Sequence, residues 1–358
     1  MSTAFLADLV VIVAKILIVF LVLSVLVIFI VWFERKVVAH MQSRLGPNRW
    51  GPFGLLTSLA DGMKLFFKEP VTPITADRAT FALAPGISML AAFLAFASIP
   101  FGTAVVLFGH HVTFEIADLN VGLLWVLAMG SLAVYGVVLA GWSSGSKYPL
   151  LGGIRSSAQM ISYEIALSLS LIPVVMSAGS LSLRTIVATQ AGVIGSISWL
   201  GPLGGVGKFI PHWYIFYHLP SFLIFLLAGV AETNLPPFDL AEADTELVGG
   251  YHTEYSGIKF AMFFLAEYLH VITISALAVL LFLGGWNGIA PHLPVLGWIW
   301  PLLWFVAKVF FFVFLFVWLR ATLPRLRYDR LMAVGWRVLI PAALTWLVVS
   351  GLAMAGSL

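Results

Sequence analysis

The sequence predicts an all-α polytopic membrane protein, with eight transmembrane helices plus an interfacial amphipathic helix in a single membrane domain over residues 1–358. Hydrophobic residues make up 61% of the chain and charged residues only 10%, and the mean hydropathy is +1.03. These values lie far outside the range of soluble globular domains. Apolar segments long enough to cross a bilayer as helices also recur along the chain, with no repeat or linker to divide it.

The first predicted span is the apolar run 9–33, in which the 18 residues from Ile16 to Phe33 carry no charge. This run is longer than the apolar part of a signal peptide and has no small-residue cleavage site, so we expect the helix to be retained. The fifth span is short and runs directly into an acidic segment. The later spans are predicted at 80–100, 121–142, 155–178, 214–232, 258–284, 298–320 and 335–355.

A shorter amphipathic helix is predicted at about 53–69, between the first two spans. Thr57, Asp61 and Lys64 lie opposite its apolar face, and Pro70 ends it. At about 16 residues it is too short to cross the bilayer, so we expect it to lie in the interface. A peripheral helix that only fills a gap is the alternative. The apolar face consists of Leu55, Leu56, Leu59, Met63, Phe66 and Phe67.

The distribution of Lys and Arg predicts the orientation of the chain. Basic residues concentrate in the segments 34–79 and 320–337, whereas the segments 101–120 and 285–297 contain none. The basic segments follow the first and seventh spans and are expected to face the cytoplasm or a mitochondrial matrix. Both termini are therefore predicted to lie on the opposite side.

An acidic segment follows the fifth span. Six of the 16 acidic residues fall within 23 positions, and no Lys or Arg lies between Lys208 and Lys259. Pro236-Pro237 ends any helix continuing from the span, and a short helix after it would place Asp239, Glu242 and Glu246 on one face. Crowded carboxylates without a nearby cation raise one another's pKa, so we expect proton exchange near neutral pH. A solvated acidic loop is the alternative.

Two more acids lie at membrane depth, Glu164 in the fourth span and Glu267 in the sixth. Buried carboxylates are costly in a bilayer and usually face a bundle interior or a hydrated cavity. With the acidic segment they predict a line of acids suited to proton relay. Each acid could instead be hydrogen-bonded to Tyr163, Tyr268 or a neighbouring helix. Lys308, within the seventh span, could pair with an acid or extend towards the interface.

Other kinds of site are excluded by what the sequence lacks. The chain has no Cys, so it cannot hold an iron–sulfur cluster or a thiolate-bound zinc. His110-His111 has no partner spacing typical of a metal site. The glycines before Lys208 lack the P-loop pattern, and we find no nucleophile elbow, dinucleotide fingerprint or nucleic-acid motif.

Long motifs reveal a resemblance to a known family. The segment 34–73, "ERKVVAHMQSRLGPNRWGPFGLLTSLADGMKLFFKEPVTP", resembles the H subunit of NADH:quinone oxidoreductase, respiratory complex I, which is called subunit 1 in mitochondria. The likeness continues in "DLNVGLLWVLAMGSLAVYGVVLAGWSSGSKYPLLGGIRSSAQMISYE", "AETNLPPFDLAEADTELVGGYHTEYSG" and "RATLPRLRYDRLM". It covers nearly the whole chain, in order.

The resemblance implies a non-redox subunit that joins the hydrophilic redox arm to the membrane arm and is not catalytic alone. It implies quinone as the substrate, in a channel formed by the first span, the interfacial helix and spans six and seven. FMN and iron–sulfur clusters would be held by partner subunits. The implied partners are the hydrophilic quinone-site and iron–sulfur subunits, small membrane subunits and lipid, with no nucleic acid. The implied location is the bacterial cell inner membrane, with both termini periplasmic.

The resemblance also implies two sets of functional residues. Reduction of quinone near coupled carboxylates would shift their protonation and bias a loop between two arrangements. The implied quinone-channel or interface residues are Arg35, Lys36, Arg44, Asp61, Lys64, Arg320, Arg325 and Arg327. The implied proton-path acids are Glu164, Glu232, Asp239, Glu242, Asp244, Glu246, Glu254 and Glu267.

The chain departs from the family pattern at a few positions. Leu235 stands where relatives commonly have Arg, Thr57-Ser58 replaces a Gln-Pro pair, and Asp244 replaces Glu. Without the Arg, we expect either that another subunit supplies a cation to the acidic segment or that its acids titrate higher.

Two alternative functions remain open from sequence. One is the homologous subunit of a membrane-bound hydrogenase, a formate hydrogenlyase, or a coenzyme-F420- or ferredoxin-driven dehydrogenase. The other is a free-standing proton-coupled transporter, which the lack of inverted-repeat symmetry disfavours.

Overall fold

The protein is a bundle of long apolar helices. A computed structural model describes residues 3–107, 110–192, 211–239, 248–288 and 299–356. Apart from one hairpin of two short strands, β1 (Val105–Leu107) and β2 (His110–Val112), the described elements are helical. In chain order the helices are α1 (Thr3–Met41), α2 (Leu56–Phe67), α3 (Arg78–Ala95), α4 (Gly122–Ser143), α5 (Lys147–Ala178), α6 (Leu183–Thr189), α7 (Leu219–Glu232), α8 (Gly257–Phe282), α9 (Ile299–Thr322), α10 (Tyr328–Val334) and α11 (Ile340–Ala355).

Seven helical segments in the described residues are long and apolar enough to cross a membrane. They are α1, α3, α4, α5, α8, α9 and the pair α10 and α11, which a π-helical turn at Gly335–Leu339 makes continuous. Several run past the predicted span limits. α1 continues to Met41, beyond residue 33, and α5 begins at Lys147, before residue 155. The length of an apolar run corresponds to the thickness of the hydrocarbon core. A helix can be longer than this run because it can continue into the polar interface.

The predicted fifth span, 214–232, differs most from the structure. Only α7 is α-helical, with 14 residues, which correspond to a length of about 21 Å against a hydrocarbon core of about 30 Å. A three-residue 3-10 turn, Tyr214–Phe216, precedes it, and Pro220 lies in its first turn. Side-chain contacts still place α7 antiparallel to α5, because Ser177 contacts His218 at one end and Gln159 binds Ala231 at the other.

The predicted amphipathic helix is present as α2, which is shorter than 53–69. Ser58 is buried against the rest of the protein and Thr57 beside it is half-buried, whereas Lys64 is exposed. Every residue of its predicted apolar face is exposed: Leu55, Leu56, Leu59, Met63, Phe66 and Phe67. A soluble amphipathic helix buries such a face in its own core. In this membrane protein the face is left to lipid or to another subunit.

α8 forms the centre of the bundle. Some 78% of the residues in its apolar stretch of 18 are buried, compared with 17% for α1 and for the α10–α11 segment. All residues from Ala276 to Phe282 are at most 1% exposed. α8 packs against α1, α3, α7 and α9, so side chains that project from it meet several other helices.

Close helix packing depends on Gly136 of α4. A Cβ at this position would lie 2.0 Å from Ser88 Oγ and 2.8 Å from the Ala84 carbonyl oxygen of α3. Small residues permit such approaches between membrane helices. We expect Gly136→Ala to destabilise the protein by about 1–3 kcal/mol through overpacking. Gly62→Ala is the matched control, since a Cβ there has nothing within 4 Å. Thermal unfolding of the purified complex compares the two, and equal melting temperatures would contradict the expectation.

Candidate functional site

The turn that follows α7 is fixed to α5 by Gln159. Its side-chain nitrogen donates to the carbonyl oxygens of Ala231 and Phe238, each at 2.8 Å. Asn234, with a φ of 51°, turns the chain between them and donates to Ser156 Oγ at 3.3 Å. The amide of Gln159 thus holds both ends of the turn 231–238. Gln159 precedes Glu164, the acid of α5, by five residues.

Asp239 ends the described part of this turn and is paired with a cation. Arg325, from the loop after α9, approaches its carboxylate at 2.8 Å, and Asp239 is 5% exposed. Leu235 is itself buried. Asp239 is therefore paired with a cation from this chain, Arg325, although position 235 lacks the Arg that relatives commonly have. Neither of the two expectations from sequence, a cation from another subunit or acids that titrate higher, anticipated this.

A first cavity of about 50 Å³ lies where α7 and α8 meet α3 and α4. Its lining includes Glu232, Glu267 and His270. His270 Nε2 lies 3.1 Å from Glu232 Oε1. Glu232 is 5% exposed, and its second oxygen, Oε2, has no hydrogen-bond partner among the described residues. A buried carboxylate oxygen without a partner is costly, and the cavity is large enough for about three water molecules.

Glu164 of α5 lies close to this pair. It accepts a hydrogen bond from Ser131 of α4 and is within electrostatic range of Glu232 and His270. The structure therefore brings together acids from the fourth span, the end of the fifth and the sixth, which sequence alone could only place at similar depth.

A second, smaller cavity lies between α1, α8 and α9, and Glu267 lines it as well. Here Arg320 approaches Glu34 at 2.8 Å, and the Tyr268 hydroxyl donates to the other oxygen of Glu34 at 2.6 Å. Arg320 also donates to the Tyr268 oxygen at 3.4 Å. Three residues thus form one hydrogen-bonded cluster beside Glu267. Because Glu267 lines both cavities, it lies between this cluster and the Glu232–His270 pair.

The contact between α1 and α2 includes an ion pair. Arg35 and Asp61 approach to 2.5 Å, and their side chains are 44% and 45% exposed. The Trp32 indole donates to the Phe53 carbonyl oxygen at 3.1 Å. These two contacts attach the amphipathic helix to the carboxyl-terminal part of α1, next to Glu34.

The other predicted residues do not join the two cavities. Arg44 donates to Gln42, and Arg327 is 82% exposed with Asp329 at 3.9 Å. Lys64 is exposed on α2, Lys36 is half-buried on α1, and Glu254 is half-buried before α8. Three predicted acids lie outside the described residues: Glu242, Asp244 and Glu246.

Sequence analysis missed several residues of this site. Glu34 opens the motif from which only Arg35 and Lys36 were chosen, although a carboxylate next to two cations was a visible signal. His270 lies three positions after Glu267, so helical spacing places both on one face. Tyr268 was considered only as an alternative partner of Glu267. Ser131 had no signal in the sequence.

Lys308 pairs with backbone carbonyls rather than with an acid in the described structure. Its Nζ donates to the carbonyl oxygens of Leu283, Gly285 and Asn287 at 2.7, 2.9 and 2.6 Å. It also lies 4.4 Å from the centre of the Trp213 ring. The ammonium therefore caps the carboxyl end of α8, where the helix dipole favours a cation. Neither alternative from sequence, an acid partner or extension to the interface, describes this arrangement.

His252 and Glu115 are among the groups outside the membrane-spanning helices that have shifted pKa values. Burial lowers the pKa of His252, which packs on Tyr251 at 3.7 Å, to about 3, so this imidazole stays neutral. On the opposite side, burial raises the pKa of Glu115, although Arg184 at 2.5 Å counteracts the shift. Within the described residues, no group of three or more His, Asp or Glu side chains is arranged to hold a metal ion.

Comparisons with known proteins cover nearly the whole chain. Residues 14–351 match the family model described as NADH dehydrogenase. The H subunit of the NADH-quinone oxidoreductase of Frankia alni is 53% identical over 336 residues, which are 92% of this chain and 70% of that protein. The protein of the same name from Frankia casuarinae is 53% identical over 335 residues, with the same coverage of both chains.

Proposed function

Because this chain belongs to the NADH dehydrogenase family and is a membrane subunit of an NADH-quinone oxidoreductase, we propose that it forms part of the channel for quinone. We propose also that its acidic residues couple quinone reduction to proton translocation. FMN and the iron–sulfur clusters belong to partner subunits in this proposal, and this chain supplies positioning, charge and a proton path.

The position of Glu267 between two cavities, each lined in part by charged side chains, carries the coupling proposal. On one side lies the cluster of Glu34, Tyr268 and Arg320, beside α1 and α9, which the family resemblance assigns to the channel. On the other side lie Glu232 and His270. Quinone reduction consumes protons and changes local charge, and coupled titratable groups respond to such a change together. Glu267 is placed to pass that response from the channel to the acids of the bundle.

The helix α2 supports the channel proposal. Its exposed apolar residues offer a surface for an isoprenoid tail or lipid, while the Arg35–Asp61 pair provides polar groups at the α1 contact. Ligand channels commonly combine an apolar wall with a few polar groups of fixed position. The remaining basic residues of this side, including Lys36, Arg44, Lys64 and Arg327, would serve the contact with the hydrophilic quinone-site and iron–sulfur subunits.

An eight-span topology with α7 as the fifth span accompanies this function. The inner end of α5 meets the segment before α8, since a Cβ at Gly152 would lie 2.7 Å from Gly250. α7 runs antiparallel to α5 and would run antiparallel to α8. Its 14 residues, together with the preceding turn, would complete one crossing of the membrane. Both termini would then be periplasmic in a bacterial inner membrane, with the basic loops inside. α1, which is little buried in this chain, would face lipid and small membrane subunits.

The Glu267→Gln variant tests the coupling proposal. The amide keeps the shape of the side chain but cannot carry a negative charge or relay a proton as an acid. We expect proton uptake driven by NADH in proteoliposomes to fall by at least about tenfold. Oxidation of NADH by ferricyanide, which needs only the redox arm, should be unchanged. When it is measured on complex purified through the membrane arm, it reports how much redox arm remains attached.

Glu69→Gln provides the control, because Glu69 is an exposed acid outside both cavities. Its proton uptake should equal that of the unmodified complex. Full proton uptake in the Glu267→Gln complex, with normal assembly, would refute coupling through this acid. A chain that purifies without a large iron–sulfur assembly would refute the whole proposal and favour a free-standing transporter.

A further inference from the structure

We propose that Glu232 and His270 form a single proton-binding site at membrane depth, connected to Glu267 by water in the first cavity. The inference rests on the proposed function and deepens it. It identifies the carboxylate of Glu232 and the imidazole of His270 as an intermediate proton-binding site on the path. The sequence offers acids along this path, but the structure adds a group that can carry positive charge.

The hydrogen bonds of Glu232 indicate the proton-binding atom. Oε1 is occupied by His270 Nε2 at 3.1 Å, whereas Oε2 is buried and has no partner in the described structure. Both residues line the cavity of about 50 Å³. Buried polar atoms nearly always have a hydrogen-bond partner, and ordered water commonly supplies it. Water in the cavity would therefore bind Oε2 and reach Glu267, which lines the same space.

The charged groups around the Glu232–His270 pair make its proton occupancy depend on the charge of its neighbours. α5 contributes Glu164, α8 contributes Glu267, and the turn before α8 contributes Tyr251, while α3 and α4 contribute Ser88, alanines and Gly130. Glu232 and His270 also line a third cavity, between α3, α4 and α8. Lys and Arg are absent from the described lining of this cavity and of the first. The imidazole is thus the group in that lining able to balance the carboxylates with positive charge. Adding or removing one charge at Glu267 would change the proton affinity of the pair.

The proposed step moves one proton and no electrons. A proton leaves the Glu267 carboxylic acid, passes through cavity water and is taken up at Glu232 Oε2. Glu267 becomes a carboxylate, and the pair gains one positive charge, shared between Glu232 and His270 across their hydrogen bond. In the reverse step the pair releases this proton through the cavity water to the Glu267 carboxylate, which becomes the neutral acid again, and the pair loses its added positive charge. While the pair holds the proton, an ionised Glu164 would stabilise the charged imidazole.

The His270→Asn variant separates titration from structure. An amide nitrogen can still donate a hydrogen bond to Glu232, but it cannot bind a proton. We expect proton uptake per NADH to fall by about threefold or more, because the proton affinity of Glu232 changes without the imidazole. The pH profile of proton uptake should also differ from that of the unmodified complex, because Asn cannot bind a proton. His212→Asn, outside both cavities, should keep the unmodified pH profile.

Each outcome distinguishes this inference from the proposed function. An unmodified pH profile in His270→Asn, together with lost proton uptake in Glu232→Gln and Glu267→Gln, would overturn the role of His270 and leave the acid path standing. Full proton uptake in Glu267→Gln and Glu232→Gln would overturn both. If neither His270→Asn nor His270→Gln assembles, as judged by NADH oxidation with ferricyanide, the imidazole is a folding requirement, and the proton-binding role is refuted.

Discussion

Replacing Lys308 by Met is expected to destabilise the protein by about 3–5 kcal/mol, because several charge-assisted hydrogen bonds are lost at once. The carbonyl oxygens of Leu283, Gly285 and Asn287 all accept from this one ammonium. Met fills a similar volume but donates no hydrogen bond, so buried carbonyls at the end of α8 lose their partner. The interaction with the Trp213 ring is lost as well.

The melting temperature of the purified complex measures this effect. Lys147→Met is the matched control, since Lys147 is exposed at the inner end of α5 and its loss should leave the melting temperature unchanged. A Lys308→Met complex as stable as the unmodified one would show that these carbonyls are satisfied in another way. The cap assigned to Lys308 would then be incorrect.

Replacing Arg325 by Met is expected to cost about 2–3 kcal/mol, because it leaves the buried Asp239 carboxylate without its cation. The expected loss is reduced from that of a fully buried pair, since Arg325 is 43% exposed and water can reach the site. The Asp239→Asn, Arg325→Met double variant should recover part of the loss, because it no longer buries an unpaired charge.

Arg327→Met serves as the control for this pair. Arg327 and Asp329 are 3.9 Å apart and 82% and 83% exposed, so their loss should not measurably change the melting temperature. Thermal unfolding of the three variants and the unmodified complex provides the comparison. If Arg325→Met and Arg327→Met are equally stable, Asp239 does not depend on Arg325, and the compensation for Leu235 lies elsewhere.

Sequence reasoning succeeded where one residue pattern had one physical interpretation. Long apolar runs in water-excluded surroundings must be helical, because backbone groups have no other partner there, and seven of the predicted spans are present as such helices. The fifth predicted span, 214–232, is present only in part as the α-helix α7. Its apolar length was estimated from hydropathy, whereas Pro220 and the preceding 3-10 turn shorten the helix itself.

The pairing of charges could not be predicted in the same way. Arg325 was interpreted as an interface residue and Asp239 as an uncompensated acid, yet they are partners across 86 positions. Glu34 and Arg320 show the same limit, since they come from the ends of the first and seventh predicted spans. Charge complementarity is visible in a sequence, but which of several cations reaches an acid depends on how helices rotate and cross.

The sequence by itself determined the membrane class, the helical architecture and the family of this protein. Hydropathy depends on residues that are neighbours in the chain, and the long motifs are recognised from the order of their residues. Only the tertiary structure decided that Glu267 lies between two cavities lined in part by charged side chains and that His270 pairs with Glu232. These relations depend on where α8 meets α1, α7 and α9, and contacts between distant segments arise only when the helices pack. The acidic residues were apparent as a group in the sequence, and packing arranged part of that group into a site.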